Sequence, residues 1–246
     1  MPTALAISPH LDDAIFSAGG TLARLSELGW RVIVATVFTA SVPYPQGFAL
    51  ACQLDKGLAA DIDYMALRRE EDRQACAAIG AEPIWLPFRE APHRGYHSAN
   101  DLFAGLLPTD DIVAEIAPHL EELSERYEPD LVLAPQAIGA HVDHVATFLA
   151  LHRGGSACWL WTDAPYATRP AARPSPFLLE LDSCERRVVT LDAAASDRKV
   201  SAALSYASQL PFQFGGVDAA RATLSKETQE SFLVLDASDG RLAKMV

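Results

Sequence analysis

From Thr3 to Thr39 the chain reads apolar run, amphipathic run, apolar run, and few architectures accept that order. Thr3 to Ser8 is a short apolar stretch closed by Pro9, which predicts a buried strand. Between Ala14 and Leu28, the residues Ile15, Ala18, Leu22, Leu25 and Leu28 recur three and four positions apart. That is the spacing of a helix, and Gly29 stops it. Arg31 to Thr39 is β-branched and almost wholly apolar, so it predicts a strand covered on both faces, as in a parallel sheet. Strand, helix, strand is the βαβ unit, and its crossover is expected to be right-handed.

The alternation continues along the chain. Helices are predicted over Ala66 to Ile79 with Gly80 as the stop, over Asp110 to Tyr127 with Thr109 or Asp110 as cap, over Val145 to Leu151, and near Ala194 to Ala207. Strands are predicted over Pro83 to Leu86, Asp130 to Ala134 and Cys158 to Trp161, and near Arg187 to Leu191 and Ser231 to Leu235. Ser41 to Asp63 holds Pro43, Pro45, Gly47 and Gly57 without periodicity and reads as a long functional loop or lid. Glu90 to Pro108 reads as a second loop, and 167–176 as an exposed connection. The expectation is a single α/β, Rossmann-like domain over residues 1–246, with a mostly parallel twisted sheet flanked by helices.

Composition narrows the function classes. Hydrophobic residues are 50% and charged residues 21%, which excludes disordered and coiled-coil chains. The 32 acidic against 20 basic residues give a net charge of -12, and no basic run tracks a phosphate backbone, so no nucleic-acid partner is expected. No run reaches the ~20 apolar residues of a membrane span, and no basic segment precedes the apolar N-terminal stretch. Cys52, Cys76, Cys158 and Cys184 form no C-x-x-C pair; they read as buried thiols in a reducing, cytoplasmic compartment.

Ligands of an open parallel sheet bind beyond the carboxyl ends of its strands. After the first strand comes Pro9-His10-Leu11-Asp12-Asp13, and after the fourth comes Gly139-Ala140-His141-Val142-Asp143-His144. His, Asp and His are the ligand types of a catalytic zinc with an open fourth position, and a neighbouring carboxylate can act as general base on its water. His10, Asp13 and His144 can ligate, leaving Asp12 as base, and His141 can face the same pocket. The plainer alternatives are that Asp12 or Asp13 caps the helix starting at Ala14, and that the second cluster is a solvated turn. Rival motifs are weaker. Gly19-Gly20 lies inside a helix and is no dinucleotide fingerprint, Ser8 and Ser17 lack a nucleophile elbow, and His93 and His97 flank Gly95 in a loop. Trp159 and Trp161 read as core, while Tyr166 can stack on a sugar.

These two clusters together resemble the PIG-L/LmbE family of zinc-dependent N-acetylglucosaminide deacetylases, whose members carry H-P-D-D-E and H-x-D-H. Arg68-Arg69-Glu70-Glu71 with Ala75 and Gly80, Asp163-Ala164-Pro165-Tyr166, and Lys199, Tyr206, Ser208 and Gln209 resemble further family segments. The resemblance implies Zn2+ held by His10, Asp13 and His144, Asp12 as base, His141 as a protonated partner for the oxyanion, and Arg68 and Tyr166 against the substrate. It implies a small-molecule amino sugar or glycoconjugate as substrate, and a homo-oligomer as one option. Leu11 and Ala14 replace the usual proline and glutamate, and Gly139 stands where some members have tyrosine. The H-L-D-D-A and G-x-H-V-D-H variants are similar to relatives that deacylate sugars on glycopeptide antibiotics. Two other readings stay open: a thiol-conjugate amidase of mycothiol-conjugate type, and a non-catalytic metal- or sugar-binding protein on the same fold.

Overall fold

The computed structural model describes residues 1–153, 157–170 and 172–235. The rest of the 1–246 domain span, and residue 171 of the expected 167–176 connection, lie outside the described residues. Strands β1 (Thr3–Ser8), β2 (Arg31–Thr36), β3 (Glu82–Trp85), β4 (Leu131–Pro135), β5 (Cys158–Trp161), β6 (Glu185–Thr190) and β7 (Gln229–Leu235) form one sheet, in the order β3-β2-β1-β4-β5-β7-β6. The first five in that order run parallel; β7 is antiparallel to β5, and β6 to β7. The mostly parallel Rossmann-like sheet expected from the sequence is therefore present, with an antiparallel pair added at one edge.

The helices are α1 (Asp13–Glu27), α2 (Gly47–Leu54), α3 (Tyr64–Ile79), α4 (Ile112–Tyr127), α5 (Val142–Arg153), α6 (Leu178–Leu181), α7 (Ala193–Ala203), α8 (Leu210–Phe214) and α9 (Val217–Leu224). The central strands β1, β2 and β4 are apolar on both faces because both faces are covered. Leu5, Ile7, Ile33 and Ala35 point into a core shared with α4 and α5. Ala4, Ala6, Val32 and Val34 point into a second core shared with α1, α3 and α7. The small Ala4 and Ala6 suit the crowded face, where α1 also packs on α7. Among the described residues no helix is long and apolar enough to cross a membrane.

Several elements depart from the sequence reading. The expected lid over Ser41 to Asp63 contains α2, which buries only Ala49 and Gln53 and so shows no periodicity. The Gln53 amide ties α2 to the turn that leads into α3, donating to the Ala59 and Ile62 carbonyls at 2.5 and 3.2 Å. Helix α4 starts at Ile112, with Asp111 at its cap position. Asp110 faces elsewhere, accepting from Tyr96 Oη and Arg94, and so caps nothing. Helix α5 starts at Val142, so Asp143 and His144 sit on its first turn and not in the loop before it. Of the four cysteines, only Cys76 and Cys158 are buried; Cys52 and Cys184 are half-buried.

The chain order also fixes where a site can form. Strands β1 and β4 are neighbours, yet their following helices depart to opposite faces of the sheet, α1 into one core and α5 into the other. The crevice at that switch point lies beyond the carboxyl ends of the strands.

Candidate active site

His10, Asp12 and Asp13 follow β1, and His141, Asp143 and His144 follow β4, so the switch point collects all six. The helix-cap alternative for the aspartates does not hold. Asp12 occupies the cap position of α1 without a capping hydrogen bond, and Ser8 Oγ accepts the Ala14 N–H instead, at 3.0 Å. Asp13 turns back, its Oδ2 accepting the His10 N–H at 2.9 Å. Both carboxylates are thus free of structural duty in α1.

His10 and His144 are each held by a buried carboxylate at one nitrogen and turned towards Asp13 at the other. His10 Nε2 bonds Asp143 Oδ2 at 2.9 Å, and its Nδ1 lies 3.2 Å from Asp13 Oδ2. His144 Nδ1 bonds Asp163 Oδ1 at 2.9 Å, while its buried Nε2 makes no hydrogen bond and lies 3.1 Å from Asp13 Oδ2. A carboxylate behind each imidazole fixes the tautomer and orients the lone pair, which is how metal sites are built. His10, Asp13 and His144 can hold a metal ion, and so can the overlapping set His10, His141 and Asp143. Geometry favours the first. Asp143 already accepts the Ala91 N–H at 3.1 Å, and its Oδ1 meets Arg94 at 2.8 Å, so its charge is spent on holding His10. An orphaned buried nitrogen with a two-histidine, one-carboxylate donor set fits a divalent cation.

The electrostatics point the same way. Burial works against charge on His10, but Asp13 and Asp143 outweigh it and raise the imidazole well above its ordinary value. For His144, burial is likewise outweighed by Asp13 and Asp163, lifting it to about 9. Burial also opposes ionised Asp13, yet His144 and His10 hold it well below the usual carboxylate range. This field favours positive charge between the three side chains.

Asp12 differs from its neighbour. Burial pushes it up to about 7, against the pull of Arg68 and with help from Asp13. Its Oδ2 is buried without a hydrogen bond, 3.3 Å from Arg68. Arg68 is itself fixed, donating to the Leu11 carbonyl at 2.9 Å and to Glu90 at 2.8 Å. His141 accepts the Asp143 N–H at Nδ1, 3.2 Å away, so its proton sits on Nε2. Burial drives its basicity down to about 3, with His10 and His144 adding to the effect and Asp143 opposing it. Burial thus works against the protonated His141 expected from the sequence.

A cavity of about 260 Å³ opens over this floor, lined by His10, Asp12, Asp13, Arg68, His141 and Tyr166 among others. All seven residues singled out from the sequence therefore meet at one place, with His144 just beneath. Tyr166 packs edge-on against His144, ring centroids 5.1 Å apart. Gly139, in the position of the tyrosine that some relatives have, adopts φ +92, and a Cβ there would fall 2.8 Å from the Tyr166 ring. The glycine makes room for Tyr166. Sequence reasoning missed Asp143 and Asp163 as the orienting carboxylates; Asp143 stands within the second cluster, and Asp163 comes two positions after β5. The later family-like segments are partly structural. Tyr206 Oη donates to Asp72 at 2.7 Å, Ser208 Oγ to Glu71 at 2.7 Å, and Lys199 bonds Glu227 and Glu230 at 2.7 Å each. A larger cavity of about 840 Å³ lies around Lys199 and Arg173, away from the histidine cluster.

The family model described as PIG-L, GlcNAc-PI de-N-acetylase, matches residues 5–153, more than half of the chain. A 2'-N-acetylparomamine deacetylase from Streptomyces fradiae is 33% identical over 168 residues, which are 66% of this chain and 57% of that protein. The chain thus spans little more than half the length of this relative. Among solved structures, the A40926 pseudoaglycone deacetylase superposes with a TM-score of 0.73 at 30% identity, covering 96% of this chain and 98% of that one. The zinc-inhibited form of a teicoplanin deacetylase superposes with a TM-score of 0.76 at 26% identity, covering 96% and 99%.

Proposed function

Because this chain belongs to the PIG-L, or GlcNAc-PI de-N-acetylase, family, we propose that it is a zinc-dependent amidohydrolase that removes an acyl group, acetyl by preference, from the nitrogen of an amino sugar in a glycoconjugate. The observation that carries this reading is the buried His10, Asp13 and His144 set, with its orphaned Nε2, beside the Asp12 oxygen that accepts no hydrogen bond on the floor of the cavity. The relatives named as deacetylases of A40926 pseudoaglycone, teicoplanin and 2'-N-acetylparomamine support an N-acylated sugar on a larger aglycone.

A zinc ion at these three ligands would supply an acidified water and Lewis-acid polarisation of the amide carbonyl. Asp12 Oδ2 takes the proton from the attacking water; a carboxyl pushed up to about 7 suits a base that must later return the proton. Arg68 keeps that carboxylate oriented from 3.3 Å. As the carbonyl oxygen gains charge, His141 donates Nε2–H to it as a neutral hydrogen-bond donor. The C–N bond breaks, the proton on Asp12 passes to the departing amine nitrogen, and carboxylic acid and amino sugar leave. Tyr166 and Arg68 line the same cavity as Asp12, which supports a place for both against the bound substrate.

The test separates the two adjacent aspartates. Asp12→Asn is expected to retain stoichiometric zinc and lose on the order of 10²–10⁴ in kcat. Asp13→Asn is expected to lose zinc first and to regain part of its rate with added metal. Zinc content and amine release from an N-acetylglucosaminide measure both. The opposite pattern, with Asp12→Asn stripped of metal and Asp13→Asn fully loaded but slow, would reverse the roles.

A further inference from the structure

An arginine is rarely buried unless carboxylates hold it, and Arg94, in the loop over 88–108, lies against two. Only 10% of its side chain is exposed. Its Nε and Nη2 donate to Asp110 at 3.2 and 3.1 Å, and its Nη1 to the Arg89 carbonyl at 2.6 Å. Nη2 also lies 2.8 Å from Asp143 Oδ1. Asp110 is fixed in turn: Tyr96 Oη donates to its Oδ2 at 2.8 Å and accepts the Leu107 N–H at 3.1 Å. One end of this run of charges is anchored in the loop, and the other is the carboxylate behind His10.

Asp143 is wholly buried, and its two oxygens have different partners. Oδ2 bonds His10 Nε2 and accepts the Ala91 N–H. Oδ1 accepts no hydrogen bond, so the Arg94 cation is what compensates its share of the charge. A buried carboxylate that loses its cation turns towards another donor, and that turn would take Oδ2 off His10. The same guanidinium lies over the Phe38 ring, 4.8 Å from its centroid, and Phe38 tilts against the His10 ring at 6.0 Å. The Phe38 N–H donates to the Pro9 carbonyl at 3.0 Å, which keeps that ring beside His10. Arg94 therefore bears on His10 by two routes, one of charge and one of packing.

Resting on the metal-site part of the amidohydrolase reading, we propose that Arg94 is a positioning residue: through Asp143 it aims His10 Nδ1 at the metal, and so it couples the loop over 88–108 to metal affinity. Arg94 does not line the cavity, so it acts through other side chains. Arginine suits the task, because its planar fork reaches Asp110 and Asp143 at once, as an ammonium group does not. Such coupling is reciprocal, so a bound metal must also steady the loop.

The experiment measures zinc affinity of the purified protein by competition with a chelator, alongside the urea midpoint of the metal-free form. Arg94→Gln is expected to bind zinc about tenfold more weakly, and Arg94→Lys about threefold, since lysine keeps the charge without the fork. Asp143→Asn is expected to lose at least as much as Arg94→Gln, and the double variant no more than Asp143→Asn alone, because Arg94 acts through Asp143. A metal-free midpoint that falls in Arg94→Gln while zinc affinity holds would mark a merely structural ion pair and overturn the proposal. Arg94→Lys no tighter than Arg94→Gln, or losses that multiply in the double variant, would also overturn it. Should Arg94→Gln fail to fold, the unmodified protein still decides: zinc is expected to slow amide hydrogen exchange over 91–110 at least about threefold, and exchange there that ignores zinc overturns the coupling. An unmodified protein that binds no zinc would defeat the metal reading and this proposal together, whereas normal zinc binding by both the unmodified protein and Arg94→Gln defeats the proposal alone.

Discussion

Which nitrogen of a buried imidazole carries the proton is decided by the nitrogen that finds an acceptor, and in His144 that is Nδ1, 2.9 Å from Asp163 Oδ1. Asp163 also accepts the Ile138 N–H at 3.0 Å, so it is itself held in place. Asp163→Asn is expected to leave a folded protein that binds zinc about 10–100-fold more weakly, read by competition with a chelator of known affinity. Unchanged affinity would remove Asp163 from the site. The candidate ligands could be picked out in the sequence because their chemical types are rare and each cluster follows a strand. Asp143 and Asp163 were not, because a carboxylate's task depends on which ring it faces, and Asp143 meets His10 across 133 positions. The pull on His141's charge was not legible for a similar reason: it comes from burial and from a backbone N–H at its Nδ1.

At the scale of elements, α1 is fastened from its side as well as its ends. Glu230 on β7 accepts the N–H of Gly20 and Thr21, at 3.0 and 2.7 Å, in the middle of the helix. Lys199 on α7 closes the arrangement by donating to the same carboxylate at 2.7 Å. Glu230→Ala is expected to cost about 3–5 kcal/mol, since it leaves a buried cation and two N–H groups without that acceptor. A chemical denaturation midpoint measures this, and a loss under 1 kcal/mol would contradict the fastening. The long elements could be read from periodicity because each buries a full face. Helices α8 and α9 could not, for they bury one residue, Leu210, and two, Ala220 and Leu224. Such short helices are stabilised by what they dock on, and α2 belongs with them.

For the molecule as a whole, acid stability depends on groups far from the cavity as well as those in it. His152 stacks on Phe148, with centroids 4.0 Å apart, and burial pushes its basicity down to about 4. Below its ordinary value of 6.5 the unfolded chain takes up a proton that the folded chain refuses. Stability is therefore lost as pH falls from 6.5 towards 4, by on the order of 3 kcal/mol. The advantage of the unmodified protein over His152→Gln in urea midpoint should shrink across that window; a constant offset would sink the assignment. The Glu230 tie has a consequence in time. Its carboxylate is made 210 positions after the Gly20 amide that it receives. At about 5–20 residues per second, a ribosome needs roughly 10–40 s to cover that distance. Through that interval the nascent helix that carries Asp13, with Asp12 at its start, lacks its lateral anchor. The helix that carries Asp13 therefore settles late, once β7 has been made and can reach back to it.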